Sequence, residues 1–506
     1  MWFQNKCSPA LILTFLLHSS LLGRDFDIVS FGAVGDGQTL NTAAIQKAVD
    51  ATAVAGGRVV FPPGRYLSGT IRLKSGVTLH LEKGASLLGS SDLAHYQRLN
   101  FLALVMADQQ KDIGISGEGV IDGQGKVIAE AVIGPIKPGS FPDAGEAKRP
   151  VIVNFRNCRG VTVRDVTLRE SACWVQLYRD CAQVRLENIK VRTMAAVTND
   201  GLDIDGCSNV VVRGCDIDSE DDAICLKSSR KRCENILIEN CRIRSSCNAL
   251  KFGTASTVGY KNVTVRNLEI YDTYLSGIAL QIVDGGVMEN IHISNVKMTT
   301  TNNPIFIRLG HRNKDGPVGA IRGVTISDLT AEIPNRKKSE MNKFPSYWRH
   351  LCTTLITGSI TGLPGNPVRG VTLRNISIAY GGIGDAPKPD HLLLQDLGKI
   401  PQHAQNYPES KMFGVLPAWG LYGRHVEGLV MENVSLKVTG TDYRAAVILD
   451  DVRNLKLDRF QILSAGKEPP MVMNDVVGGT VLDSRGPGGA AGWIEKRGTT
   501  KDVVSR

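Results

Sequence analysis

Short runs of Val, Ile and Leu alternate with polar residues along most of the chain, and glycines, prolines and asparagines separate the runs. A period of two puts successive side chains on opposite faces of the backbone, so the pattern predicts strands rather than helices. The runs also repeat. Segments beginning at Cys158, Cys181, Cys207, Cys233, Tyr260, Met288, Ile321, Val368, Val426 and Val452 share one eleven-residue pattern, as in CSNVVVRGCDI, CENILIENCRI and YKNVTVRNLEI. Successive starts lie 23, 26, 26, 27, 28, 33, 47, 58 and 26 residues apart. A unit of about 25 residues cannot bury its apolar face alone and must stack on its neighbours. The expected fold is therefore all-β: a single-stranded, right-handed parallel β-helix whose coils lie about 4.8 Å apart.

Two stretches depart from the strand pattern. Asn41 to Ala55 carries Ile45, Ala48, Val49 and Thr52 at helical spacing, with Gly56-Gly57 beyond. It predicts a short amphipathic helix, capped by Asn41, that covers the otherwise open N-terminal strand edge. The stretch 331–425 has few repeats and many loop signals, among them Trp348, Pro364, Pro387, Pro389 and Tyr407-Pro408. Such insertions are expected to wall a groove rather than to form a separate domain. One β-helix domain over 25–490, followed by a tail over 491–506, accounts for the chain.

Within the repeat, Asn recurs at the third position (Asn209, Asn235, Asn262, Asn290, Asn454) and at the eighth (Asn188, Asn240, Asn267, Asn295, Asn375, Asn433). There it can satisfy turn backbone groups and accept unusual dihedral angles. Of eleven cysteines, Cys158, Cys181, Cys207 and Cys233 occupy position one, and Cys215 and Cys241 position nine. That placement predicts interior columns of small apolar side chains in preference to disulfides or a metal site.

With 506 residues, 42% hydrophobic and 22% charged, the chain is globular, neither disordered nor collagen-like. The net charge of +9 is scattered, so no nucleic-acid partner is expected. At the N-terminus, Lys6 precedes an apolar stretch from Ala10 to Leu22, too short to span a bilayer comfortably. It is expected to be a secretory signal over 1–23, giving a secreted or periplasmic monomer free of the membrane; an uncleaved anchor or an N-terminal strand is the alternative.

Charge interrupts the strand alternation at Thr198-Asn199-Asp200-Gly201-Leu202-Asp203-Ile204-Asp205 and again at Ser219-Glu220-Asp221-Asp222-Ala223. Asp200 and Asp221 are 21 residues apart, about one coil, so both groups belong to neighbouring rungs of one face. Crowded carboxylates raise the pKa of at least one member, which lets one site hold an acid and a base. Glycoside hydrolysis requires that pair. A calcium site serving a β-helix lyase, or an Asp-rich turn that only caps strands, fits the same spacing. Strict alternation sends Asp221 and Asp222 to opposite faces, so a bulge is expected there.

These residues resemble glycoside hydrolase family 28, the polygalacturonase and rhamnogalacturonan hydrolase group of pectinase-like β-helix proteins. The resemblance runs from Phe31-Gly32-Ala33-Val34-Gly35-Asp36-Gly37 through the late repeats. The family's N-T-D-G-x-D motif matches Thr198 to Asp203 with the first two residues exchanged, and its Asp-Asp pair matches Asp221-Asp222. The resemblance implies an inverting hydrolase of a pectic or related uronate-containing polysaccharide, without a cofactor or metal. Asp221 would protonate the glycosidic oxygen, and Asp200 and Asp222 would hold and deprotonate water.

Two departures bear on substrate. The family's G-H-G-like motif reads Ser246-Cys247-Asn248-Ala249-Leu250-Lys251-Phe252-Gly253, and its R-I-K reads Gly277-Ile278-Ala279-Leu280-Gln281-Ile282. Loss of the Arg and Lys removes charge-assisted bonds to a galacturonate carboxylate, and the rhamnogalacturonan-cleaving branch also lacks the His. A mixed pectic backbone is therefore expected, bound by Asn248, Lys251, Gln281 and Arg308. Lys227 is a further candidate cation, and Trp174, Tyr178, Trp348, Trp419 and Tyr422 are candidate sugar-stacking rings. A decayed, glycan-binding β-helix is the non-enzyme alternative.

Overall fold

The computed structural model describes residues 24–134, 145–336, 355–464, 466–489 and 492–506. The expected signal segment and Trp348 lie outside them. The described chain is the expected parallel β-helix. Each coil contributes strands to three faces, as in Ser208–Arg213, Asp216–Ser219 and Ile224–Lys227, and each strand pairs in parallel with its equivalent one coil away. An antiparallel pairing of Gln97–Arg98 with residues 102–103 departs from this rule.

The second residues of all ten repeat units form one continuous register: Arg159, Ala182, Ser208, Glu234, Lys261, Glu289, Arg322, Arg369, Glu427 and Arg453. Spacings of 47 and 58 residues leave that column unbroken, so the longer intervals do not alter the register. Inward Val, Ile, Leu and Cys side chains fill one long core. The nine described cysteines are free and buried, and the Cys158 and Cys181 amides donate to the Sγ atoms of Cys181 and Cys207, each at 3.4 Å.

The helix α1 (Thr42–Ala55) buries Ile45, Ala48, Val49 and Thr52 against the first coils, as its spacing requires. Asn41 does not cap it through its side chain. Its amide instead pins the preceding loop, accepting from Val34 N at 2.7 Å and donating to Val34 O at 3.0 Å and Thr39 O at 2.7 Å. The expected tail is also corrected. Ile494–Arg497 pairs with Met471–Asn474, and Lys501–Ser505 pairs with residues 477–481, so these residues form a further coil.

The repeated asparagines sit at left-handed turns, with φ of 51–58° at Asn209, Asn235, Asn262, Asn290, Asn240, Asn267 and Asn295. Their amides bond to one another across coils rather than to backbone. Asn267 Nδ2 donates to Asn240 Oδ1 and Asn295 Nδ2 to Asn267 Oδ1, each at 2.8 Å. Such ladders follow from identical side chains stacked one rung apart.

Asn267→Ala removes two ladder bonds and places a residue that disfavours the left-handed region at φ +58°. It is expected to destabilise the fold by about 1–3 kcal/mol, and Asn267→Gly by less, because only the bonds are lost. Urea unfolding midpoints check this; equal costs for the two variants would remove the backbone contribution.

Candidate active site

On the third face, Leu202, Ile204, Ile224, Leu226, Leu250 and Phe252 point into the core, and the residues between them point outward. Register aligns the outward Asp203, Cys225, Lys251, Ala279 and Phe306 in one column and Asp205 with Lys227 in the next. The acids stand beside these columns, at the corner where each coil turns from the second face to the third. The corners stack through Gly201 N to Asp222 O at 2.8 Å and Ala223 N to Asn248 O at 2.9 Å.

Asp221 and Asp222 do not lie in a bulged strand. Asp216–Ser219 ends before them and Ile224–Lys227 begins after them, so residues 220–223 form a turn that frees both side chains from alternation. Their carboxyl oxygens and the Cys247 thiol come within 4.8 Å of one another, as do ligand atoms of Asp200, Asp203 and Cys225.

Two lysines meet this charge. Lys227 Nζ bonds Asp200 Oδ2 at 3.0 Å and also Asp203 Oδ1, and it lies 4.1 Å from the centre of the Trp174 ring. Lys251 Nζ lies 2.8 Å from Asp222 Oδ2, 3.6 Å from Glu409 Oε1 and 3.3 Å from the Tyr407 hydroxyl. Asn248 completes the grip on Asp222, donating to Oδ1 from Nδ2 at 2.8 Å and from its backbone N at 3.2 Å. Asn248 is buried and acts on Asp222 rather than facing solvent.

The environments drive the carboxylates apart. Burial, reinforced by the charges of Asp200, Asp222 and Glu220, pushes Asp221 well above the usual carboxylate range. Burial works in the same direction on Asp222, but Lys251 and Asn248 more than offset it and hold that carboxyl below its ordinary value. Burial raises Asp200 and Asp203 against the pull of Lys227. Both lysines stay charged, because their carboxylate partners outweigh burial. An Asp221 pushed toward its protonated form beside an Asp222 held toward its ionised form is the environment of an acid and base pair.

Asn199 and Thr198 support the first corner. Asn199 Nδ2 donates to Ser171 O at 3.0 Å and Cys173 O at 2.7 Å, while its Oδ1 accepts from Thr193 Oγ1 and Ala196 N, each at 3.0 Å. The buried Arg149 reaches Val197 O at 2.8 Å and Thr198 Oγ1 at 2.6 Å. Arg149, Tyr407 and Glu409 belong to no motif in the sequence; the Tyr407-Pro408 dipeptide signalled only a loop.

Three expectations change. Gln281 and Arg308 are buried beneath the segment 381–417, where Gln281 Nε2 donates to Pro408 O at 3.2 Å and Arg308 Nη2 to Gln402 O. Burial, with Arg424 nearby, brings the Arg308 guanidinium down to about 10. Neither side chain faces a ligand from solvent. Among the candidate rings, Tyr178, Trp419 and Tyr422 are buried in protein, and Trp174 is partly exposed at the site. A calcium site fits the donors poorly: each acidic group includes a thiol, a soft ligand, and each is already ion-paired with an ammonium.

The chain matches the model of the family Glycosyl hydrolases family 28 over residues 52–386. A probable polygalacturonase of Vitis vinifera is 24% identical over 416 residues, which cover 74% of this chain and 79% of the relative. Among solved structures, an exopolygalacturonase from Thermotoga maritima superposes with a TM-score of 0.57 at 23% identity, covering 71% of this chain and 87% of its own. A family 28 exopolygalacturonase of Yersinia enterocolitica gives 0.61 at 20% identity, covering 86% and 78%. At these identities the structural likeness speaks for the fold.

Replacing Lys251 by Met removes the cation that holds Asp222 low and leaves the burial. The Asp222 carboxyl is expected to move up, because burial then acts against Asn248 and the more distant Lys227 alone. Carbon-13 carboxyl titration of the labelled protein measures the change, and an unaltered titration would show that Lys251 does not control this group.

Proposed function

The chain belongs to glycosyl hydrolases family 28, and from that premise we propose that this glycosidase cleaves a pectic polysaccharide of mixed, rhamnogalacturonan-like backbone, with the inversion that the family resemblance implies, although the Asp221 and Asp222 carboxyl oxygens lie within 4.8 Å of each other, closer than is usual for an inverting pair. Asp221, whose burial among like charges favours its protonated form, donates to the glycosidic oxygen as the bond breaks. Asp222, ionised and oriented by Lys251 and Asn248, takes a proton from the attacking water, which Asp200 helps to hold. Trp174 offers an apolar face to a sugar ring beside Lys227.

The observation that carries the substrate preference is the engagement of both cations. Lys227 and Lys251 are each committed to aspartates of the site, and the stretch Gly277 to Ile282, which stands where the family resemblance has R-I-K, holds neither Arg nor Lys. A galacturonate carboxylate brought to the cleaved bond would face Asp200, Asp203, Asp221, Asp222 and Glu409 without a cation of its own. A neutral sugar such as rhamnose carries no such penalty. The apolar stretch from Ala10 to Leu22 after Lys6 supports export from the cell, where such glycans are met.

Incubation with rhamnogalacturonan, polygalacturonate and neutral glycans, scored for saturated and unsaturated ends, tests this function. Saturated reducing ends from rhamnogalacturonan in excess over polygalacturonate are expected. Unsaturated, ultraviolet-absorbing ends would mean a lyase, and equal cleavage of polygalacturonate would refute the preference. Asp221→Asn is expected to lower kcat by about 10²–10⁴-fold while calorimetry still detects glycan binding; wild-type turnover in that variant would overturn the assignment of the acid.

A further inference from the structure

Beyond Lys251 the outward columns of the third face are not open to solvent. Ala279, Phe306, Tyr422, Ile448 and Val472 are buried and form a second apolar cluster outside the coils. Leu394, Leu397, Ile400, Phe413 and Leu416, all from the segment 381–417, close over them. The polar members of the neighbouring column bind the same segment: Arg424 Nη1 donates to Ile400 O at 2.7 Å, Arg308 to Gln402 O, and Gln281 to Pro408 O at 3.2 Å. Apolar packing and these hydrogen bonds together fix the segment on the face.

The covered area reaches the acids, where Asp200, Asp203 and Asp222 are buried and Asp221 is partly exposed. Tyr407 stands at that boundary, 52% exposed, with its hydroxyl on Lys251 Nζ at 3.3 Å. The Lys251 ammonium and the Arg312 guanidinium lie 5.4 and 5.8 Å from the centre of its ring. Glu409, two residues on, is the second carboxylate against Lys251. A sugar held at Asp221 and Asp222 therefore meets a wall on the C-terminal side, where an uncovered β-helix face would continue as a groove.

Resting on the glycosidase function above, we propose that the segment 381–417 makes the site blind at its C-terminal end, so that the enzyme acts on chain termini. Tyr407 is the specificity-determining residue against which the terminal sugar packs. A polysaccharide threaded past the acids would have to displace both the apolar cluster and the bonds from Gln281, Arg308 and Arg424. Internal bonds of the substrate are accordingly out of reach.

The glycan that the wild-type enzyme cleaves in the assay above serves as the probe, so failure of the glycosidase function appears there and failure of the blind wall appears here. Chain-length separation of early products is expected to show monosaccharide or disaccharide from the first time points, with viscosity falling late. A ladder of intermediate oligosaccharides with an early fall in viscosity would overturn the proposal. Tyr407→Ala, at an exposed position, is expected to raise KM for short oligosaccharides roughly tenfold with a smaller change in kcat, and Tyr407→Phe to retain most of the affinity. Unchanged KM in Tyr407→Ala would remove Tyr407 from the role given to it.

Discussion

Coils stacked in parallel and in register place every side chain directly above and below its counterparts, about 4.8 Å away. Inside, this favours like on like, and the core is a set of Val, Ile, Leu and Cys columns. At the turns it favours Asn on Asn, because an amide both donates and accepts. Carboxylates cannot tolerate that arrangement without help. Asp200, Asp203, Asp221 and Asp222 are crowded by the same stacking that orders the asparagines, and Lys227 and Lys251 are placed by register on adjacent rungs to meet them.

The compensation is uneven, and its unevenness is chemically useful. Asp222 receives a lysine and two donors from Asn248, whereas Asp221 accepts the Asp222 amide at 2.8 Å and has no ion pair among the described residues. Neighbouring positions in one turn are thus pushed in opposite directions from the ordinary carboxylate value by their surroundings. Asn248 and Lys251, both within the stretch Ser246 to Gly253 that stands for the family's G-H-G-like motif, are part of this arrangement, since both act on Asp222.

Much of the fold was legible because its repeat is written at every coil. The insertions did not hide it, since the columns on either side of them share one pattern. Asp200, Asp221 and Asp222 were legible as charge breaking an apolar alternation. Other features needed the folded chain. Tyr407 is 156 residues from Lys251, and no local periodicity reports a contact of that span. Gln281 and Arg308, read from the sequence as substrate-binding residues, are covered by an insertion whose path the repeat does not specify. The coil over 494–505 escaped notice because Ile494-Glu495-Lys496-Arg497 is charged and carries little period-two signal.

The register of the coils passes unbroken across insertions of very different length. Chemistry and access are therefore separable in this architecture: the corner acids belong to the repeating frame, while the depth and openness of the site belong to segments looped out of it. Lengthening or trimming such a segment changes which end of a substrate can enter without moving a backbone hydrogen bond near Asp221. A single catalytic corner can in this way be inherited by enzymes that cut in mid-chain and enzymes that trim from a tip, with the difference carried wholly by residues that the repeat leaves unconstrained.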